Sequence, residues 1–458
     1  MQTIEQLRSG ALAGVQRLKL CCGLTRFPVE IYDLADTLEI LDLSGNALSA
    51  LPDDLHRLQK LRIIFCSDNR FTQLPAVLGR CPELSMVGFK ANRIKSVPPA
   101  SLPEKLRWLI LTDNEIEVLP AELGNCVQLQ KLMLAGNQLR TLPATLANCQ
   151  RLELVRIAAN RLETLPDWLL SLPRLSWLAY SGNPFSYEWE LGAQKRTRIN
   201  EVGWDKLALE QLLGEGASGV IYRAQYCQAA MDAESVAVKL FKGAMTSDGL
   251  PQCEMTAAIN AGRHAGLINV MGKITGHPED AEGLVMELIN PDFGNLAGPP
   301  SLESCTRDIY SDGLTFDLSS ALLIANSIAS AVRHLHRQGI MHGDLYGHNI
   351  LYTGDGRALI GDYGAASFYQ TENRTIADKL ECLEVRAFGC LLEELTERCH
   401  VVSPEQQKVI GCLDALALAC LNEMHFLRPD FDEITRFLQN ALSECERETL
   451  TSDENMVF

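Results

Sequence analysis

No unbroken apolar run in the chain is long enough for a membrane-spanning helix, which needs about 20 such residues. The amino terminus, Met1-Gln2-Thr3-Ile4-Glu5, lacks a basic segment followed by an apolar one, so no secretory signal is expected. Positive charge is in short supply: 41 lysines and arginines face 58 acidic residues, a formal net charge of −17. That balance excludes nonspecific nucleic-acid binding, which depends on clustered lysine and arginine. Cysteine is not scarce, with 15 residues, but no paired spacing suggests a disulfide framework. Without a signal peptide, the scattered thiols point to a reduced, cytoplasmic setting. A single core is excluded by the length of 458 residues, and two domains of roughly 150–250 residues are expected.

What is present begins with a period. Asn46, Asn69, Asn92, Asn114, Asn137, Asn160 and Asn183 recur at steps of 23, 23, 22, 23, 23 and 23, the mark of a solenoid. One unit reads Leu129, Leu132, Leu134, Asn137, Leu139, Leu142, Pro143, Leu146. This spacing resembles that of leucine-rich repeats over about residues 18–185, which implies short parallel strands on a concave face and asparagines that satisfy turn backbone groups. The asparagines are therefore structural. Leu-Pro pairs such as Leu51-Pro52 and Leu165-Pro166 supply the convex return. Cys81, Cys126 and Cys149 share one repeat position otherwise filled by leucine and act there as small buried hydrophobes. Residues 1–37 lack the asparagine and read as a cap with a degenerate first repeat, and 38–186 as the repeats proper. Strand alternation turns Lys131, Met133, Ile63, Phe65, Met86, Trp108, Ile110, Leu154 and Trp177 outward. An exposed apolar stripe of this kind is a contact site. Its expected occupant, on Phe65, Trp108, Met133 and Trp177, is a protein partner or the chain's own second domain.

Residues 187–206 lose the ladder and mix aromatics with charges, so they read as a packed connector. Beyond them Leu207-Ala208-Leu209-Glu210 alternates like a strand and runs into Gly214-Glu215-Gly216-Ala217-Ser218-Gly219-Val220-Ile221. Glycines between two strand-like runs suit a flap whose backbone amides approach phosphates. Lys239 follows within Val236-Ala237-Val238-Lys239. A lysine among apolar neighbours needs an ionic partner, and Glu254, in the only plausible helix before His264, is the candidate. Gly283-Leu284-Val285-Met286-Glu287-Leu288-Ile289 is an apolar strand, and Leu318, Leu322, Ile328, Val332 and Leu335 repeat at helical spacing.

That helix delivers His342-Gly343-Asp344-Leu345-Tyr346-Gly347-His348-Asn349. A carboxylate and an amide five positions apart suit phosphoryl transfer: the aspartate accepts the proton of an attacking hydroxyl and the asparagine coordinates magnesium. The string resembles the catalytic loop of protein kinases, with glycine where most carry arginine. Gly361-Asp362-Tyr363-Gly364 resembles their metal-binding triplet, and Leu427-Arg428-Pro429-Asp430-Phe431-Asp432-Glu433-Ile434 one of their late helices. Leu383-Glu384-Val385-Arg386-Ala387-Phe388-Gly389 resembles another, with Glu384 in the acid position.

The resemblance, to tyrosine-kinase-like protein kinases joined to leucine-rich repeats, implies an α/β multidomain chain: a solenoid, then a bilobal α+β kinase domain at 207–442. It implies ATP and Mg²⁺ as cofactors and a protein substrate, serine or threonine favoured. Asp344 and Lys239 would be catalytic. Gly214, Gly216, Ser218, Gly219, Ile221, Lys239, Glu254, Glu287 and Leu288 would bind the nucleotide, with Met286 guarding the back pocket, and Asn349 and Asp362 the metal. Arg428 would pair with Glu372 or Glu381. The usual A-P-E triplet is missing, and only 22 residues separate Asp362 from Glu384, so the activation segment that holds a regulatory phosphosite and peptide substrate is cut short. Tyr346 stands where serine/threonine kinases carry lysine. A pseudokinase scaffold and a small-molecule phosphotransferase are the alternative readings. Residues 443–458 have no apolar periodicity and are expected to be a disordered tail.

Overall fold

The computed structural model describes residues 2–196, 199–216, 218–227, 233–243, 245–246 and 248–455, with backbone only for 196 and 446–455. Two compact units interleave along the chain: residues 2–175, 182–185 and 248–249 form the first, while 176–181, 186–246 and 250–455 form the second.

In the first unit a short helix α1 (Ile4–Arg8), closed by a Thr3–Gln6 capping box, precedes parallel strands. These are β1 (Arg17–Lys19), β2 (Ile40–Asp42), β3 (Ile63–Phe65), β4 (Met86–Gly88), β5 (Trp108–Ile110), β6 (Lys131–Met133) and β7 (Leu154–Arg156), paired in sequence order. Each strand is three residues long, and from β2 to β7 each is followed by an asparagine turn. Asn137 shows how: its Oδ1 accepts from Ile116 N at 3.1 Å while its Nδ2 donates to Leu111 O and Leu134 O, both at 2.9 Å. Each asparagine thus ties one coil to the preceding one through groups that no strand ladder reaches. The return path uses prolines, whose extended ψ starts a tight turn, as at Pro120 before Ala121–Asn125 and Pro166 before α2 (Asp167–Leu170). Burial raises the Cys81 and Cys126 thiols to about 11 and that of Cys149 to about 12, as expected of thiols acting as core.

The outward stripe differs from its expectation. Ile63, Met86, Lys131, Leu154 and Trp177 are buried, and Phe65, Trp108, Ile110 and Met133 are half-buried. The pairing register sets Ile63, Met86, Trp108, Lys131 and Leu154 in one row, neighbour against neighbour. Lys131 Nζ sits 4.3 Å above the Trp108 ring, Trp108 Nε1 donates to Met133 Sδ at 3.4 Å, and the Phe65 ring fills the space above Gly88. Arg156, 1% exposed, donates from Nε to Asp248 Oδ1 at 2.7 Å.

The second unit opens with strand β8 (Trp177–Ala179). The expected connector is ordered: helix α3 (Tyr187–Arg196) and strand β9 (Glu201–Gly203), with residues 197–198 outside the described set. A six-stranded sheet follows in the order β10 (Leu207–Glu215), β11 (Gly219–Tyr226), β12 (Glu234–Phe241), β14 (Gly283–Glu287), β13 (Val270–Thr275), β9. Its core is Val202, Ala224, Val236, Val238, Ile274 and Val285, so the connector contributes both a strand and a core side chain. Helix α4 (Pro251–Ala261) begins with proline at its first turn and ends at Gly262, φ 66°.

The remainder is helical with small sheets: β15 (Gly294–Asn295), α5 (Leu318–Arg337), β16 (Ile340–Met341), β17 (Ile350–Tyr352), β18 (Ala358–Ile360), β19 (Ser367–Phe368), α6 (Arg374–Thr396), α7 (Pro404–Cys420) and α8 (Phe431–Asn455). Asp317 caps α5 by accepting from Ser320 N at 2.8 Å, and the predicted apolar positions of α5 are all buried. Asp430 and Glu433 cap α8 reciprocally. Helix α8 runs through Asn455, so 443–455 is helical where a disordered tail is expected. No proline or glycine interrupts that stretch, and a helix already anchored by its buried face propagates easily. Residues 456–458 lie outside the described set. Among the described residues no helix is long and apolar enough to cross a membrane.

Candidate active site

Strands β10 and β11 carry the glycine flap between them. Gly216 N donates to Gly219 O at 2.9 Å, closing the turn, with Ala217 outside the described residues. Added Cβ atoms at Gly214 and Gly216 would meet nothing within 4 Å, whereas one at Gly219 would lie 2.5 Å from Leu240 O. Gly219 therefore serves strand packing, while Gly214 and Gly216 keep an open face. Ile221 pairs with Lys239 across the β11–β12 ladder.

The Lys239 ammonium pairs with Glu254 Oε1 on α4, and their side chains are 12% and 4% exposed. Burial raises the Glu254 carboxyl, Lys239 pulls it down and Asp362 pushes it up again, with a net rise. Gly361 N, next to Asp362, donates to Asn349 O at 3.1 Å and so ties that end of the chain to the loop carrying Asp344 and Asn349. Strand β14 ends at Glu287, whose N–H donates to Asn269 O at 3.0 Å and whose Oε2 accepts from Asn269 Nδ2 at 2.9 Å. Met286 and Leu288 beside it are half-buried.

The loop 342–349 runs between β16 and β17. His342, fully buried, donates from Nε2 to Gly361 O at 2.9 Å and accepts at Nδ1 from Asp344 N at 3.3 Å, which fixes its tautomer. Asn349 Nδ2 donates to both Asp344 O and Asp344 Oδ2 at 2.9 Å. The carboxylate and amide paired by sequence spacing are thus joined in space, and Asp344 stays half-exposed. Asp362 is exposed and holds a left-handed φ of 54°, with Oδ1 accepting from Gly364 N at 3.0 Å. A non-glycine residue in that region stores strain of the kind found at functional sites. Tyr363 beside it is buried against His342, ring centroids 5.7 Å apart.

Glu384, 1% exposed, accepts from Gly343 N at 2.8 Å and from His336 Nε2 at 2.7 Å. Burial works to raise its carboxyl, but His336, His342 and the Gly343 N–H outweigh it and hold it below the ordinary range. Arg428 is held from the main chain. Its described bonds run to Asn422 O and Cys382 O, both at 2.8 Å, while Glu381 accepts from Tyr369 OH at 3.1 Å and Glu372 is exposed.

Two contacts were beyond sequence reasoning. Asp308 holds the loop from outside: His348 Nδ1 bonds its Oδ1 at 2.8 Å and His348 N donates to its Oδ2 at 3.2 Å. Helix α3 packs on α4, where Glu190 accepts from Cys253 Sγ at 3.8 Å, next to Glu254. No motif marks either residue.

A two-layer unit with a glycine flap, a buried lysine–glutamate pair and an Asp–Asn loop is the protein-kinase fold. Comparison with known proteins agrees. Residues 207–397 match the protein tyrosine and serine/threonine kinase family model, and residues 37–58 the leucine rich repeat model. The chain thus joins leucine-rich repeats to a protein kinase domain. It is 29% identical over 179 residues to serine/threonine-protein kinase mos of Gallus gallus, covering 36% of this chain and 48% of that one. It is 27% identical over 210 residues to cyclin-dependent kinase 10 of Homo sapiens, covering 45% and 53%. The aligned part spans about half the length of these relatives.

Proposed function

We propose that this chain is an ATP-dependent protein kinase that phosphorylates serine or threonine hydroxyls. The observation that carries the reading is the presence of both a Lys239–Glu254 pair and an Asp344–Asn349 unit, with Gly361 N bonded to Asn349 O next to Asp362. Asp344 would orient the acceptor hydroxyl and take up its proton as the oxygen attacks. Lys239, held by Glu254, would grip nucleotide phosphates under the flap of Gly214, Gly216, Ser218, Gly219 and Ile221. Strand β14 would end against the adenine at Glu287 and Leu288. Asn349 commits its Nδ2 to Asp344, which leaves its amide oxygen as the atom that would hold Mg²⁺ together with the Asp362 carboxylate, an all-oxygen set that suits this ion. When bound, the metal would neutralise charge developing on the phosphates. The repeats would engage a protein partner, and free thiols throughout suit a reducing, cytosolic setting.

Incubation with γ-labelled ATP, Mg²⁺ and a mixed protein substrate tests the reading. Transfer should fall about 10²–10⁴-fold in Asp344→Asn. Equal transfer by that variant defeats it. One observation favours a second reading: α6 begins at Arg374, only 12 residues after Asp362 by subtraction, so little chain is left to form a peptide platform. A small hydroxylated acceptor would need none. Label appearing on hydroxylated metabolites but not on protein would select that alternative.

A further inference from the structure

The short path from Asp362 to α6 leaves the outer side of the catalytic loop without the chain segment that ordinarily lies against it. In this molecule another piece is there. Trp177 of β8 lies flat on Tyr346, ring centroids 4.0 Å apart and planes 10° apart, and its indole N–H donates to Leu345 O at 2.9 Å. Leu178 O comes so near Gly343 that a Cβ there would lie 2.7 Å from it. Tyr180 N donates to Ser367 Oγ and Tyr180 OH to Phe368 O, each at 3.1 Å, and Ser181 Oγ donates to Ala366 O at 2.6 Å. One stretch therefore grips the catalytic loop at one end and the strand that follows Asp362 at the other.

We propose that Ser176–Ser181 is a built-in substitute for the activation segment, and that Trp177 is a positioning residue that holds Leu345 and Tyr346, and through them Asp344, in place. This rests on the phosphotransfer reading above. The geometry is that of a brace and not of an inhibitory plug: Leu345 and Tyr346 are 1% and 4% exposed, yet Asp344 beside them remains half-exposed. Trp177, Tyr180 and Ser181 are 2%, 0% and 3% exposed, the burial of a core and not of a reversible contact. Three of the bonds end on main-chain carbonyls, so they fix backbone position whatever side chain the loop carries. A flat aromatic at 346 is what an offset-stacked indole requires. A braced loop needs no phosphate on the segment after Asp362 to order it.

The test uses the full chain and the variants Trp177→Ala, Trp177→Phe and Tyr180→Phe, each checked for an unshifted helical signal by circular dichroism. Amide hydrogen exchange at 343–349 is measured without nucleotide, and kcat and KM for ATP are measured separately. Trp177→Ala should speed exchange at 344–346 and lower kcat about 10–100-fold with KM for ATP within about two-fold. Trp177→Phe, which keeps a ring but loses the N–H donor, should fall between it and the parent. If Trp177→Ala does not fold, Trp177→Phe and Tyr180→Phe carry the test by the same two readouts. Unchanged exchange and kcat in the folded variants overturn the brace, and so does a rise in kcat. Phosphatase treatment should leave the parent rate unchanged; a rate it abolishes also overturns the proposal. If the parent transfers no phosphate, the kinase reading fails, and exchange at 344–346 alone decides the brace.

Discussion

Gly343 sits under two constraints at once. Its φ is 75°, and a Cβ would lie 2.5 Å from Ala365 O and 2.7 Å from Leu178 O. The left-handed backbone costs a substituted residue about 1–2 kcal/mol and overpacking a further 1–3 or so. Gly343→Ala should therefore destabilise the second unit by about 3 kcal/mol, read from its denaturant midpoint; a loss under about 1 kcal/mol would show that the carbonyls yield. The same geometry explains why arginine is absent before Asp344. His348 gives a pH signature. Burial favours its neutral ring, but the bond to Asp308 and the charges of Asp344, Asp308 and Asp362 outweigh that and raise its pKa above 6.5. A group raised on folding stabilises fully below its unfolded pKa and loses that contribution as pH rises through the folded value. The stability advantage of the parent over His348→Gln should therefore shrink between about pH 6.5 and the raised folded pKa. An advantage constant across that range, in denaturation at each pH, would contradict it.

Among the elements, the repeats were legible because a 23-residue period needs no tertiary knowledge. Asn137→Ala would strip partners from the buried N–H of Ile116 and two carbonyls, and should cost about 3 kcal/mol with melting of the first unit as the measure. A loss within about 0.5 kcal/mol would mean that water replaces the side chain. The kinase-like loops were legible for a similar reason, since each is a local string with its own chemistry. Long-range pairings were not. Trp177 reaches Leu345 across 168 residues, and Asp308 reaches His348 across 40. Periodicity read Trp177 as part of an exposed stripe and could not say that Leu345 and Tyr346 would bury it. The helix through 443–455 was missed because composition registers polarity but not the continuation of an anchored helix.

At the scale of the whole molecule, the two units do not divide at one point in the chain. Residues 176–181 fold with the second unit while 182–185 return to the first. A fragment beginning at residue 207 would lack Val202 from its core, β9 from its sheet edge and Trp177 from its catalytic loop. It should melt broadly and transfer no phosphate, whereas a fragment beginning at 176 should keep a cooperative transition in calorimetry. Equal cooperativity of the two would show the upstream residues to be dispensable. The contact between Trp177 and Leu345 also has a timetable. At about 5–20 residues per second of synthesis, the indole emerges roughly 10–30 s before the carbonyl that receives its N–H, since 168 residues separate them. Through that interval the nascent chain carries the indole before the residues that bury it have been made, so the catalytic loop can be braced only once synthesis has passed Tyr346.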